Sequence, residues 1–248
     1  MKRTLLLCST AFALVLAWQQ TSLAGPPPGF RSLFNGKDLS GWIIPKGDNG
    51  HWKVVDGVID YDARSEAKGD KSLWTKEEFG NFVLLIDWRI KKTTGLYPMK
   101  IIQPDGSYKR DKNGKVIVLM RPNADSGIYL RGNIKSQVNI WCWPCGSGEV
   151  WGYRTDPRMP PEVRAACVPK VKADNPVGQW NTFKITMIGD RLTVELNGKT
   201  VIENAQLPGV PARGRIGLQH HGGPRKNGEL SPASSLVQFR NIYIKELP

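Results

Sequence analysis

The sequence predicts an all-β fold, a sandwich of two antiparallel sheets, on three observations. Residues 182–203 have the pattern of a meander: Phe183, Ile185 and Met187 alternate with Lys184 and Thr186, Gly189-Asp190 turns the chain, and Leu192, Val194 and Leu196 repeat the alternation. Asn197-Gly198 then supplies two residues tolerant of positive φ, as a tight hairpin needs, before residues 200–203 run back. Residues 81–90, NFVLLIDWRI, are almost continuously apolar, which predicts a central strand covered on both faces. Residues 126–141 alternate again on either side of Gly132-Asn133. A sheet with one apolar face requires a second layer against it and leaves its polar face free for a ligand.

The remaining elements follow in chain order. Lys2 and Arg3, an apolar run from Leu5 to Trp18, and Ser22-Leu23-Ala24 before Gly25 have the layout of a cleavable secretory signal. Residues 1–24 are therefore expected to be removed and residues 25–248 to form one exported domain, periplasmic or extracellular. The apolar run falls short of the ~20 residues that span a bilayer, so no stable membrane insertion is expected after cleavage. Residues 51–60 read as two short strands around Asp56-Gly57. Residues 91–123 are basic and turn-rich, with Pro104-Asp105-Gly106 and Asn113-Gly114, and are expected to form an inserted hairpin projecting from the sandwich. Residues 149–175 lack periodicity and are expected to drape over the sheet as a long loop, the kind of segment that carries specificity on a rigid scaffold. Near the end, Val237 and Phe239 lie in one phase and Ile242 and Ile244 in the other, which predicts a β-bulge at Arg240-Asn241.

The formal charge is +13, or +11 without Lys2 and Arg3. Lys and Arg are scattered along the chain rather than clustered with aromatic residues, which favours a solvated basic exterior and argues against a nucleic-acid partner. Beyond Gly25 the cysteines are Cys142, Cys145 and Cys167. Cys142-Trp143-Pro144-Cys145 has C-x-x-C spacing but follows a strand and lacks βαβ context, and a zinc site would need a second pair. An exported chain is expected to form one structural disulfide, leaving one thiol over; the pairing stays open.

Residues 126–141 are the best place for a site. With Ile128, Leu130, Val138 and Ile140 facing the core, Tyr129, Arg131, Gln137, Asn139 and Trp141 share the opposite face. Aromatic rings among planar amides and a guanidinium suit a sugar, which offers an apolar C–H face to stack and hydroxyls to bond. The same pattern also fits an ordinary wet outer face.

The ordered series Leu33-Phe34-Asn35-Gly36-Lys37-Asp38-Leu39-Ser40-Gly41-Trp42, Trp52 with Asp56-Gly57, Asn81-Phe82, Asp125-Ser126-Gly127-Ile128-Tyr129-Leu130-Arg131, Trp180-Asn181, Asn197-Gly198-Lys199, Ile216-Gly217-Leu218-Gln219 with His221-Gly222, and Phe239-Arg240-Asn241-Ile242 resembles the 3-keto-disaccharide hydrolase domain family. The resemblance implies a concanavalin A-like jelly roll, exported and acting on glycosides whose C3 hydroxyl has been oxidised to a ketone. Such a ketone acidifies the C2 hydrogen, so a modest base can remove it as the C1 group leaves, and water then adds to the enone. The chemistry needs a base, a donor or cation at the ketone oxygen and an acid for the leaving group. It does not need the paired carboxylates of ordinary glycosidases. This chain departs from the family pattern at Asp125, where relatives commonly carry Asn, and at Gln137-Val138-Asn139, where they carry Glu-Val-Gln. Either the acid has moved across the hairpin or hydrolysis is lost.

The candidate catalytic residues are His221, Asp125 and Arg131. An imidazole ordinarily titrates near neutrality, which suits His221 to a general base, although a histidine at a strand end can also be structural. Arg131 could bind the ketone or pair with Asp125 across the turn. Substrate contacts are assigned to Tyr129, Gln137, Asn139, Trp141 and Gln219. Glu149 and Asp156 could serve as acid, metal ligand or surface charge and are read as surface charge; Trp141 and Trp143 could be sugar platforms or core, and the alternation favours exposure of both. No loop has recognisable calcium-ligand spacing, so a divalent cation is left open, and no nucleotide or redox cofactor is expected. The alternative to an enzyme is a non-catalytic carbohydrate-binding module on the same fold, since jelly rolls host both.

Overall fold

The structure, a computed structural model, describes residues 25–248; the expected signal segment, residues 1–24, lies outside them. Among the described residues the strands are β1 (Arg31–Ser32), β2 (Trp42–Ile43), β3 (Trp52–Val55), β4 (Val58–Tyr61), β5 (Leu73–Phe79), β6 (Asn81–Ile90), β7 (Leu96–Lys100), β8 (Val118–Pro122), β9 (Asp125–Leu130), β10 (Asn133–Trp141), β11 (Asn181–Ile188), β12 (Arg191–Leu196), β13 (Lys199–Gln206), β14 (Gly214–Leu218) and β15 (Val237–Leu247). Two short helices, α1 (Trp151–Arg154) and α2 (Pro161–Ala166), lie between β10 and β11. One sheet has the order β13-β12-β11-β6-β15-β4-β3, with β1 paired to β15, and the other β10-β9-β14-β5-β2. Their pairings are antiparallel, and the fold is an all-β jelly-roll sandwich.

The apolar alternation explains the packing. Phe82, Leu84, Ile86 and Trp88 of β6, with Phe183 and Ile185 of β11 and Phe239 of β15, meet Leu73, Ile128, Leu130, Val138, Ile140 and Ile216 of the second sheet in one core. Both hairpin turns read from the sequence have φ > 0 at two successive residues, 50° and 76° at Asp56-Gly57 and 50° and 78° at Asn197-Gly198, the geometry of a type I′ turn. The register of β15 slips between Arg240 and Tyr243, with Asn241 at φ 50°, which is the expected bulge.

The structure corrects several expectations. β6 is central, but only alternate residues are buried. Its outer face carries a thin polar cover instead of a second layer: Asp87 accepts from Thr182 and Asn241, and Arg89 lies 4.7 Å from the Trp180 ring centroid. Residues 149–175 are not a plain loop, because Pro161 opens α2 and Tyr153, Arg154 and Val163 are buried. Glu149 is not a surface charge but a fully buried partner of the Arg154 guanidinium. Nor does the hairpin of β7 and β8 simply project. Arg154 Nη1 donates to Gly106 O and Nη2 to Tyr108 Oη, each at 3.1 Å, and Met99 packs on Trp141 and Trp143, so the excursion folds back along the smaller sheet.

The cysteines also differ from expectation. Cys142, Cys145 and Cys167 are all free. Cys145 packs by the Trp141–Trp143 pair and Cys167 in the main core, so the chain has spent them on packing. Among the described residues no helix is long and apolar enough to cross a membrane.

Candidate active site

The polar face of the smaller sheet is the floor of a cleft of about 890 Å³, walled by Tyr97, Lys100 and Tyr108 of the hairpin and by residues 151–152 and 155–158. Register sets the floor: Gln137 pairs with Tyr129, Asn139 with Gly127 and Trp141 with Asp125, while Gln219 and His221 follow β14 alongside. Two glycines give it depth. A Cβ on Gly127 would come within 2.7 Å of Gln137 Cγ, so its absence lets Gln137 lie across it, donating to Ser126 O at 3.2 Å and to Gln219 Oε1. A Cβ on Gly217 would come within 2.7 Å of Trp74, which instead stacks on Tyr129 with centroids 5.3 Å apart. Burial is the main reason the Tyr129 hydroxyl is pushed up to about 12.

Asp125 and His221 are tied together through residues 233–235. Ala233 O accepts from the Asp125 N–H at 3.1 Å and from His221 Nδ1 at 2.9 Å. Ser235 Oγ accepts the His221 N–H at 2.7 Å and donates to Asp125 O at 2.6 Å. Ala233 holds this arrangement at φ 63°, a left-handed conformation that costs a non-glycine residue energy and marks the loop as constrained. A carbonyl partner requires the proton on Nδ1, which leaves the lone pair of the neutral imidazole on Nε2. Burial raises the Asp125 carboxyl to about 6, against a smaller lowering by His221. Among the described residues no hydrogen bond ends on that carboxyl, nor on the side-chain amide of Asn139, which lines the cleft with both its donor and its acceptor unpartnered.

Arg131 is not part of this site. At φ 52° it is the turn residue after β9, and its guanidinium is buried elsewhere, donating to Gly80 O, Gly189 O, Pro211 O and Asn81 Oδ1 at 2.8, 2.6, 3.1 and 3.2 Å. The alternation placed it on the wet face; the left-handed turn takes it off. It does not pair with Asp125 either. Trp141 and Trp143 line the cleft but are not exposed: they stack on each other with centroids 4.3 Å apart and stay 3% and 6% accessible. Asp156 is at the site rather than on the open surface. Hydrogen bonds from Arg158, then Lys135, hold its carboxyl well below the carboxylate range.

The structure thus brings together Asp125, His221, Tyr129, Gln137, Asn139, Trp141 and Gln219. His220 lies apart, bonded to the Tyr61 hydroxyl at 2.6 Å and lowered to about 4, mainly by burial. Sequence reasoning missed the cleft residues Tyr97, Lys100, Tyr108, Lys135 and Trp151, together with Ser235 behind the Asp125–His221 pair. Aromatic residues interleaved with lysines at 97–109 were a usable signal, but nothing local tells which sheet face they cover. Among the described residues no three His, Cys, Asp or Glu side chains converge to hold a metal ion.

A family model described as a 3-keto-alpha-glucoside-1,2-lyase-like domain matches residues 29–245. No curated protein matches the chain. Two solved structures of candidate glycosyl hydrolases from Parabacteroides distasonis ATCC 8503 are similar to it. One, at 2.13 Å resolution, is 23% identical with a TM-score of 0.55, covering 89% of this chain and 85% of its own. The other, at 1.70 Å, is 20% identical with a TM-score of 0.53, covering 89% and 95%. At these identities the likeness establishes the fold alone.

Proposed function

The chain belongs to the 3-keto-alpha-glucoside-1,2-lyase-like domain family, whose members are carbohydrate-active, and from that premise we propose that it cleaves 3-keto-glycosides by elimination across C1 and C2. His221 Nε2 takes the C2 proton, the C2–H electrons become the C1=C2 bond, the C1–O bond breaks, and Asp125 protonates the departing oxygen. The products are a 1,2-unsaturated 3-keto sugar and an alcohol; water added across the double bond completes hydrolysis. The Asn139 amide supplies the donor for the ketone oxygen in place of Arg131, and Trp141 and Trp143 offer an apolar wall to the ring. The protein works outside the cytoplasm, as its N-terminal segment suggests.

One observation carries the reading: the cleft has one carboxyl suited to proton transfer and no second one to pair with it. Asp125 is raised to about 6 and pairs across the sheet with Trp141, whereas Asp156 is bound by Lys135, six residues away along β10, roughly 20 Å at ~3.3 Å per residue and well beyond the about 5–10 Å over which paired carboxylates act. Two-carboxylate glycosidase chemistry therefore lacks a partner, and elimination with an imidazole does not need one. The second reading, a binding module, draws support from the amide-rich floor of Gln137, Asn139 and Gln219. The test is purified residues 25–248 with a 3-keto-disaccharide and with its unoxidised parent, following sugar release. Cleavage of the keto form alone, falling by ~10²–10⁴-fold in His221→Ala with binding retained, is expected of the enzyme. Binding with no cleavage by the parent protein would leave the module, and full turnover by His221→Ala would remove the imidazole from the mechanism.

A further inference from the structure

The hairpin segment 91–123 holds eight Lys or Arg and two Asp, a net +6 within a chain of +13. Scattered in sequence, these charges are partly gathered by the fold. Behind Tyr108 and Thr155, which it shares with the cleft, lies a second cavity of about 610 Å³ lined by Lys109, Arg110, Arg154 and Arg164, with Gln103 and Ser107 as its polar contribution. Among the described residues no carboxylate lines it. Arg154 is already paired with Glu149, but Lys109, Arg110 and Arg164 make no ion pair among the described residues. Arg164 Nε is held by Arg154 O at 2.8 Å and Arg110 Nη1 by Gly114 O at 2.7 Å, which fixes both side chains by one nitrogen and leaves others free. Asp105 is near, but it accepts the Ser107 N–H at 2.9 Å, and it is lowered first by that amide and only last by Arg164. The cleft side of the boundary adds Lys100, which sits 4.6 Å from the Tyr108 ring centroid and has no carboxylate partner among the described residues.

Three unpaired cations around a concave surface repel one another, an arrangement that an anion relieves. Guanidinium forks match carboxylate and sulfate oxygens in particular. We propose that this cavity is an anion subsite for the part of a bound glycan that extends past Tyr108 and Thr155, so that the protein prefers saccharides carrying uronate or sulfate groups there. The proposal rests on the carbohydrate reading of the cleft but not on turnover. The floor supports an extended ligand: from Trp141 to Lys135 along β10 is roughly 20 Å at ~3.3 Å per residue, more than a two-ring sugar fills.

The test is binding, measured calorimetrically at low and high salt, to an oligogalacturonate tetramer, a carrageenan tetrasaccharide and cellotetraose, the first two separating carboxylate from sulfate. At least one acidic oligosaccharide is expected to bind on the order of ten-fold tighter than cellotetraose at low salt, with the preference shrinking as the Debye length falls to about 3 Å near 1 M. Lys109→Glu/Arg110→Glu, both exposed, and Arg164→Gln should each erase the preference and leave cellotetraose binding and turnover of a neutral 3-keto-disaccharide unchanged. Equal affinity for acidic and neutral sugars would overturn the proposal, as would a preference that survives both variants or tighter binding of a single-stranded DNA oligomer than of either acidic glycan. A protein that fails to cleave any keto sugar but keeps the acid preference would sink the enzyme reading and leave this subsite standing.

Discussion

At the scale of single residues, Asp125, the acid of the proposed mechanism, also bears on stability. Its carboxyl is raised from 3.8 to about 6, so the folded state favours the protonated form. A raised pKa contributes stability that is fully present below the unfolded value and is lost as pH rises through the folded one. Between about pH 4 and 6 the protein should therefore lose up to ~3 kcal/mol, at 1.36 kcal/mol per pKa unit. Asp125→Asn, which removes the ionisation, should equal the parent near pH 3.5 and exceed it above pH 6 while losing cleavage; denaturant unfolding at the two pH values reads this directly. If the two proteins track each other across the window, the half-buried carboxyl is solvated through the cleft. Ser235 makes a different case. Its buried hydroxyl joins the His221 amide to the Asp125 carbonyl, so in the proposed mechanism it is a positioning residue. Ser235→Ala is expected to lower kcat roughly ten- to a hundred-fold with KM little changed, because small displacements of reacting groups are costly. Ser235→Thr, which keeps the hydroxyl, should recover much of the rate, and a loss seen only in KM would contradict the assignment.

At the scale of elements, the cleft exists because the β7–β8 hairpin is held down, and the Glu149–Arg154 pair holds it. Both side chains are buried, and the guanidinium extends the connection to Gly106 and Tyr108 near the hairpin's far end. Breaking a buried pair leaves an uncompensated charge and commonly costs ~3–5 kcal/mol. Glu149→Gln should lose stability in that range, whereas Arg154→Met with Glu149→Leu should lose less, because no charge remains buried. Hydrogen exchange distinguishes a local from a global effect: in the double variant, amides of residues 100–117 should exchange faster while those of β11 and β12 keep their protection. Uniform acceleration would mean that the hairpin is not a separable unit. Saccharide affinity should fall with hairpin protection, since Tyr97, Lys100 and Tyr108 wall the cleft.

At the scale of the molecule, what could be read in advance was what repeats locally. The meander of β11, β12 and β13, the type I′ turns, the bulge in β15 and the shared face of Tyr129, Gln137, Asn139 and Trp141 all follow from a two-residue period and turn chemistry. Arg131 broke the same rule because a left-handed turn residue does not obey strand alternation. The cleft walls were not legible, since they depend on contacts such as Arg154 to Gly106, 48 residues apart, that no local pattern encodes. The cysteines misled for a related reason: composition and compartment suggested a disulfide, but pairing is a matter of distance and direction. Cys142 and Cys145 flank the stacked tryptophans and Cys167 ends α2 in the core, and burial pushes the Cys145 and Cys167 thiols up to about 12. A native disulfide in such a chain would contribute ~2–5 kcal/mol that reduction removes. With packing in its place, thermal unfolding of residues 25–248 should give the same Tm with and without dithiothreitol. Thiol titration should find three groups after denaturation, reacting only slowly in the folded protein, because the thiolate is the reactive form and burial suppresses it. A Tm that drops on reduction, or a denatured protein with a single reactive thiol, would show that two of these cysteines are joined.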